Sequence, residues 1–332
     1  MTRVAVLHGA GLAGGELVRL LLAHPHARLA AVTSRTFAGR PVSDAHPSLR
    51  GVTDLAFTDD LGPPSFDAVF VCAEHRAGAA AVARLRASGF EGLVVDLSAD
   101  HRLSDAALYP AWYGFEHPAP DALADAVYGL ADVFPERLPG ARLVANPGCF
   151  ATGIALALYP LVGLLGRFDA SVTALTGASG SGAQPSAATH FPTRDGNVRA
   201  YKTLGHQHLA EVGQTLGPDA AVHFVPASGP WTRGIWGTAH VALPAGVSEK
   251  DVTAAFETAF ADRPLVRLSP GALPELLPAV GTPFADLGWV AGPGGHLVAG
   301  FALDNLGKGA AAQAVQNLNL ALGFPETAGL LP

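Results

Sequence analysis

The chain predicts an α/β protein: a Rossmann-type, doubly wound parallel sheet followed by an α+β catalytic and oligomerisation domain. Three observations predict it. Short, almost continuously apolar runs alternate with helical patterns through the first half, as strands buried on both faces require. Gly9-Ala10-Gly11-Leu12-Ala13-Gly14 lies between the first such run and the first helical pattern. The length of 332 residues, 49% hydrophobic and 15% charged, suits about two cores of ~150 residues each.

Val4-Ala-Val-Leu7 reads as the first strand, and a helix over 16–23 places Leu17, Leu20 and Leu21 at helical spacing. Further strands are expected over 29–33, 68–72 and 93–97, with an alanine-rich helix over 77–87. Leu143-Val-Ala145 then leads into Asn146-Pro147-Gly148-Cys149-Phe150. Pro147 biases Asn146 toward extended backbone, and Gly148 permits a tight turn. The apolar stretch after Cys149 reads as a buried helix broken at Pro160. Beyond it, 169–175, 223–226 and 238–243 are β-like, and 251–261 is an amphipathic helix. A closing helix over 308–322 carries Ala314, Val315, Leu318 and Leu322 on one side and is expected to pack back on the first domain. The expected division is 1–148 with 305–332 for the cofactor domain, and 149–304 for the substrate domain.

Lys plus Arg is 21 against 28 acids, a net charge of -7. Without a basic block, nucleic acid and anionic membranes are poor partners. Two distant cysteines with no Cys-x-x-Cys form neither a disulfide framework nor a zinc set, and no metal site is expected. Met1-Thr-Arg runs straight into a strand, leaving no room for a signal peptide. A cytoplasmic location, reducing enough for a working thiol, is the expectation.

In its strand-to-helix setting, Gly9, Gly11, Leu12, Ala13 and Gly14 form a dinucleotide fingerprint, with the helix N-terminus facing the pyrophosphate. About twenty residues later, an acid would hold the ribose of NAD. Ser34 and Arg35 stand there instead and suit a 2′-phosphate, favouring NADP(H). Cys149 at a helix start sits where unpaired amides favour a thiolate. Cys72, closing an apolar run, reads as a small buried hydrophobe.

The chain resembles the N-acetyl-gamma-glutamyl-phosphate reductase family of arginine biosynthesis nearly end to end. The likeness runs through Val32-Thr-Ser-Arg35, the stretch Ala38-Gly-Arg-Pro-Val-Ser-Asp-Ala-His-Pro-Ser-Leu-Arg-Gly51, Asp96-Leu-Ser-Ala-Asp100 and Trp112-Tyr-Gly-Phe-Glu-His-Pro118. It continues in Asn146-Pro-Gly-Cys149, His190-Phe-Pro192, Asn197-Val-Arg-Ala-Tyr-Lys202, Gly205-His-Gln-His208, Asp304-Asn305 and Gly323-Phe-Pro-Glu-Thr327. The resemblance implies that Cys149 attacks an acyl phosphate, forming a thioester that NADPH reduces to a semialdehyde. It points to His206 and His208 as the acid/base pair, with His208 moving the proton. It places Ser179, Gly180 and Asn305 against the cofactor and Arg233 on an anionic substrate group. Asn146, His190, Arg199 and Lys202 are further candidates for substrate contact. For Arg199, Lys202 and Arg233 the alternative is an ordinary solvated or ion-paired side chain. For His190 the alternative is a packed loop histidine.

The implied substrate is N-acetyl-L-glutamyl 5-phosphate, and the implied assembly is a homo-oligomer, a dimer or tetramer. Related enzymes of a lysine route reduce aminoadipyl phosphate carried on a small protein. Phe150 and Phe191 favour the arginine route, because those relatives tend to carry Asn and His at these places. A non-catalytic dinucleotide-binding scaffold is a different reading; Cys149 and both histidines argue against it. The chain departs from the family pattern at His8, Ala73-Glu74-His75-Arg76, Pro283 and Gly307.

Overall fold

The computed structural model describes residues 1–62 and 65–331. The chain forms two compact units, 1–147 with 310–332, and 148–309.

The first unit holds strands β1 (Thr2–Leu7), β2 (Ala27–Thr33), β3 (Phe57–Thr58), β4 (Ala68–Val71), β5 (Leu93–Asp96), β6 (Ala126–Tyr128) and β7 (Leu143–Ala145). They form a wholly parallel sheet in the order β3-β2-β1-β4-β5-β7-β6. The order reverses between β1 and β4, the place where doubly wound sheets open a crevice for a ligand. The residues of β4 and β5 are all buried, which is why these strands lack an alternating pattern. Helices α1 (Leu12–Leu22), α2 (Val42–Ala45), α3 (Gly78–Ala87) and α4 (Tyr109–Tyr113) belong to this unit. One side of the sheet is sealed by Leu17, Val18 and Leu21 of α1 together with Ala314, Val315 and Leu318 of the C-terminal helix Ala312–Leu322. That helix starts later than its apolar pattern, because 307–311 forms a wider π-type turn.

The second unit holds β8 (Phe168–Thr176), β9 (Arg199–Ala200), β10 (Ala220–Ser228), β11 (Ile235–Ala242), β12 (Val266–Pro270), β13 (Ala285–Gly292) and β14 (His296–Leu303). These make a mixed sheet ordered β12-β13-β14-β11-β8-β10-β9. In β8, Phe168, Ala170, Val172 and Ala174 are buried while Asp169, Ser171 and Thr173 are exposed, the alternation of a sheet covered on one face. The cover is α5 (Cys149–Leu165), joined by α7 (His208–Leu216) and α8 (Glu249–Phe260), with the short α6 (Phe191–Arg194) in a connecting loop.

α5 runs unbroken through Pro160, against expectation. A proline inside a helix costs about 3 kcal/mol, but burial of Phe150, Ile154, Leu156, Leu158 and Leu161 offsets this at ~1.5–3 kcal/mol for each large side chain. The helix lies close to the sheet: a Cβ on Gly153 would meet the Phe301 ring at 2.4 Å. Residues 305–309, expected with the cofactor domain, fall in the second unit. No helix among the described residues is long and apolar enough to cross a membrane.

Candidate active site

Cys149 is the first residue of α5, with Gly148 as its N-cap in extended geometry. The amides of that first turn have no partner within the helix and point toward the turn carrying the thiol. The residue is partly exposed and in no disulfide. Cys72 lies in the first unit, where burial and the charge of Asp96 push its thiol up to about 12. Of the two cysteines, only Cys149 stands at a helix start.

His208 opens α7, and its ring is lodged against the backbone just before the thiol. A Cβ added to Gly148 would fall 2.4 Å from His208 Nε2. Close approach of an imidazole is therefore the reason for glycine here, beyond the turn geometry anticipated. On the other side of Cys149, a Cβ on Gly309 would lie 2.7 Å from the cysteine Cβ. Glu211, three residues along α7 and fully buried, turns Oε1 to within 3.9 Å of His208 Nε2. Its Oε2 accepts the Gly148 N–H at 2.8 Å. Glu211 was not anticipated; the signal was present as His208-x-x-Glu211, a spacing that shares one helix face.

His206 plays a different part from His208. Its Nδ1 accepts the backbone N–H of His208 at 3.2 Å. Its ring packs among Phe150, Tyr201, His208 and Phe224. Burial, then the charges of His208 and Lys202, push its pKa down to about 2. A neutral His206 is an acceptor that seats the start of α7. His208, whose ring stands against Gly148, is the imidazole placed beside the Cys149 turn.

The other expected substrate contacts are dispersed. Arg233 forms an ion pair with Asp304, Nε to Oδ2 2.5 Å, and its side chain stays 26% exposed. Lys202 donates to Gln207 Oε1 at 2.8 Å, while Arg199 and His190 are exposed. Asn146 lies in the first unit, where its Nδ2 donates to the Ala310 carbonyl and its Oδ1 accepts from Asn317. Asn305 and Ser179 bond one another, and Asn305 Oδ1 accepts the Gly234 N–H at 2.7 Å. Together with Gly180, which abuts Thr176, they brace the loop after β8.

In the first unit, Gly9, Gly11 and Gly14 stand as the fingerprint requires. A Cβ on Gly14 would strike the Gly9 carbonyl oxygen at 2.5 Å, and one on Gly9 would strike Val32 at 2.4 Å. Gly11 caps α1 with nothing within 4 Å of its Cβ position. The loop is thus packed beneath and open in front, which fits a dinucleotide pyrophosphate at the helix N-terminus formed by Leu12 and Ala13. A cleft of about 580 Å³ adjoins it, lined by His8, Thr33, Arg35, Asp59, Asp60, Arg84 and Ser88 among others. Ser34 is buried beside Arg35. Arg84 of α3 was not anticipated, because no local motif marks it.

The departures have local explanations. His8 and Arg76 occupy left-handed backbone, φ 58 and 74, where the family pattern carries glycine; the turn is kept at a cost of about 1–2 kcal/mol each. Arg76 is tied to the Gly114 carbonyl and lies over the Phe115 ring. At Gly307 a Cβ would sit 2.8 Å from the Thr282 carbonyl oxygen, so the valine usual there would not fit this backbone. Nothing in the structure explains Pro283. Among the described residues no cluster of His, Cys, Asp and Glu has the make-up of a metal site.

Comparison with known proteins agrees with this geometry. Residues 3–141 match the family model described as semialdehyde dehydrogenase, NAD binding domain, and residues 149–305 that described as semialdehyde dehydrogenase, dimerisation domain. The [LysW]-L-2-aminoadipate 6-phosphate reductase of Deinococcus radiodurans is 41% identical, covering 98% of this chain and 96% of its own. The N-acetyl-gamma-glutamyl-phosphate reductase of Methanopyrus kandleri is 39% identical, covering 99% and 98%. Aspartate semialdehyde dehydrogenase II from Vibrio cholerae shares the fold, with a TM-score of 0.71 at 16% identity over 96% of this chain and 98% of that one. A thiol at a helix start, an imidazole seated beside it and an open dinucleotide loop are thus found in a chain that belongs to the semialdehyde dehydrogenase family, as an NAD(P)-dependent enzyme of its phosphate-reductase branch.

Proposed function

We propose that the protein reduces N-acetyl-L-glutamyl 5-phosphate to N-acetyl-L-glutamate 5-semialdehyde and phosphate, as a cytoplasmic homo-oligomeric enzyme of arginine biosynthesis. The observation that carries the chemistry is His208 Nε2 set against Gly148, beside the Cys149 thiol, with Glu211 bridging the two. His208 takes the thiol proton as the sulfur attacks the acyl carbon; phosphate leaves and a thioester remains on Cys149. Amides of the α5 first turn are placed to hold the oxyanion, each worth ~3–4 kcal/mol in such a role. When bound, the nicotinamide cofactor supplies the hydride, held by Gly9, Gly11, Leu12, Ala13 and Gly14, with Arg35 favouring the 2′-phosphate of NADP(H). His208 then returns its proton as the semialdehyde departs.

Phe150 supports the arginine route. Its ring fills the space against His206, His208 and Phe224, where the lysine-route relatives tend to carry asparagine. A second reading, reduction of a carrier-bound aminoadipyl 6-phosphate, is favoured by the 41% identity to the Deinococcus radiodurans enzyme. Phosphate-dependent reduction of NADP+ and of NAD+, measured with N-acetylglutamate 5-semialdehyde and with the carrier-bound aminoadipate semialdehyde, separates them. Turnover of the second substrate alone would overturn the first reading. No turnover of either by folded, cofactor-binding protein would favour the scaffold.

A further inference from the structure

Arg194 is a charged group in the second unit that no acid answers. It ends α6, is 9% exposed, and donates from Nη2 to the Thr176 carbonyl at the end of β8, 3.0 Å away. Its Nε finds no hydrogen-bond partner, and no ion pair holds it among the described residues. Burial lowers the pKa of this guanidinium; Tyr201 opposes the shift, and Arg199, a like charge, adds to it. By contrast, Arg233 is paired with Asp304 and Arg267 with Asp286, while Lys202 donates to the Gln207 carboxamide. A buried arginine with a bare N–H edge costs stability unless something anionic arrives.

Its place within the unit says where such an anion would lie. Tyr201 feels both the Cys149 thiol and the Arg194 charge, and its ring packs against His206. Thr176, which anchors the guanidinium, begins the loop braced by Ser179 and Asn305. The guanidinium and the thiol are therefore both within electrostatic reach of the Tyr201 side chain.

We propose that Arg194 receives an anionic group of the substrate, a carboxylate or the phosphoryl group, while its acyl carbon meets Cys149. A planar guanidinium can grip either oxyanion through two parallel N–H bonds. Naming the ligand as part of an acyl-phosphate substrate rests on the function proposed above; the presence of an anion site does not. Arg194 would thereby join Arg233, for which the family resemblance implies a contact of the same kind.

The test compares alkylation of Cys149 by iodoacetate, an anion, with iodoacetamide, its neutral analogue, followed by mass spectrometry of the Cys149 peptide. Arg194→Gln should lower the iodoacetate rate by about tenfold, the scale of one charge-assisted hydrogen bond, and leave the iodoacetamide rate within about twofold. Arg194→Lys should restore much of the difference, because it keeps the charge. A purely structural role would move both reagents together, and an unchanged ratio overturns the proposal. Should Arg194→Gln fail to fold, inorganic phosphate and N-acetylglutamate are tested as protectants of the unaltered protein against iodoacetate; protection by neither overturns it. In the oxidative assay, a raised KM for phosphate alone marks the phosphoryl group as the partner of Arg194, and a raised KM for the semialdehyde alone marks the carboxylate. The alkylation ratio needs no turnover, so it stands or falls apart from the proposed substrate.

Discussion

The carboxylate of Glu211 accepts the backbone N–H of Gly148 at 2.8 Å, which ties the turn before the nucleophile to the helix that carries His208. One buried acid thus sets the position of two groups that must meet. Its other oxygen lies on the imidazole side, 3.9 Å from His208 Nε2. Glu211→Gln keeps an acceptor for the Gly148 N–H and removes the charge. The expected result is a fall in kcat of about 10²-fold, within the range spanned by general acid–base contributions, with KM changed little. Glu211→Ala should in addition lower stability by ~1–3 kcal/mol by orphaning that N–H, read from chemical denaturation.

Gly148→Ala tests the seat of the imidazole. The new methyl would stand 2.4 Å from His208 Nε2, so the ring must swing away or the turn must shift. A 1 Å displacement near reacting groups costs on the order of 10² in rate, and kcat is expected to fall by that much while NADP(H) affinity stays. Cys149→Ser should also retain cofactor binding and lose turnover. A serine variant at near the original rate would remove the thioester from the account.

The two thiols should differ in native labelling. Cys149, partly exposed at a helix start, reacts with iodoacetamide at pH 8. Cys72 is no more buried as a residue than Cys149, but desolvation and the charge of Asp96 push its thiol up to about 12, so it should react far more slowly until the protein unfolds. Quantitative peptide mapping checks this; fast native labelling of Cys72 would contradict the burial argument.

His206 makes stability depend on pH. Its folded pKa, about 2, lies below the ordinary histidine value of 6.5, so only the unfolded chain takes up a proton on it between those values. Its contribution is fully present above pH 6.5 and is lost progressively as pH falls, by at most about 1.4 kcal/mol per pH unit. The urea midpoint should therefore drop between pH 7.5 and pH 5.5, and His206→Phe should flatten that slope while changing the acid limb of kcat little.

The cofactor cleft is lined by Arg35 and Arg84 together with His8, Asp59 and Asp60, and both arginines act on His8, whose pKa burial already lowers. Arg35→Ala and Arg84→Ala should each raise the KM for NADP+ about tenfold, the loss of one charge-assisted bond. The KM for NAD+ should hardly move. Equal losses for both cofactors would assign these arginines to the dinucleotide at large.

Reading the chain residue by residue was enough for features written in local pattern. Buried parallel strands announce themselves as short apolar runs, the dinucleotide loop by its glycines, and the nucleophile by a proline-glycine turn ahead of an apolar helix. Family likeness added the two histidines and the cofactor loop. Local pattern failed where packing outweighs it: Pro160 sits inside an unbroken helix because the buried side chains around it compensate the missing bond.

The sequence by itself determined the two kinds of sheet, the glycine loop and the placing of Cys149 at a helix start, because each rests on neighbours in the chain. Tertiary structure alone decided which charges remain unmatched. Arg233 is neutralised by Asp304 from 71 residues away, Glu211 reaches Gly148 across 63, and Arg194 is left buried with no acid beside it. Electrostatic pairing depends on distance through space, and at these separations only the folded chain brings the partners together.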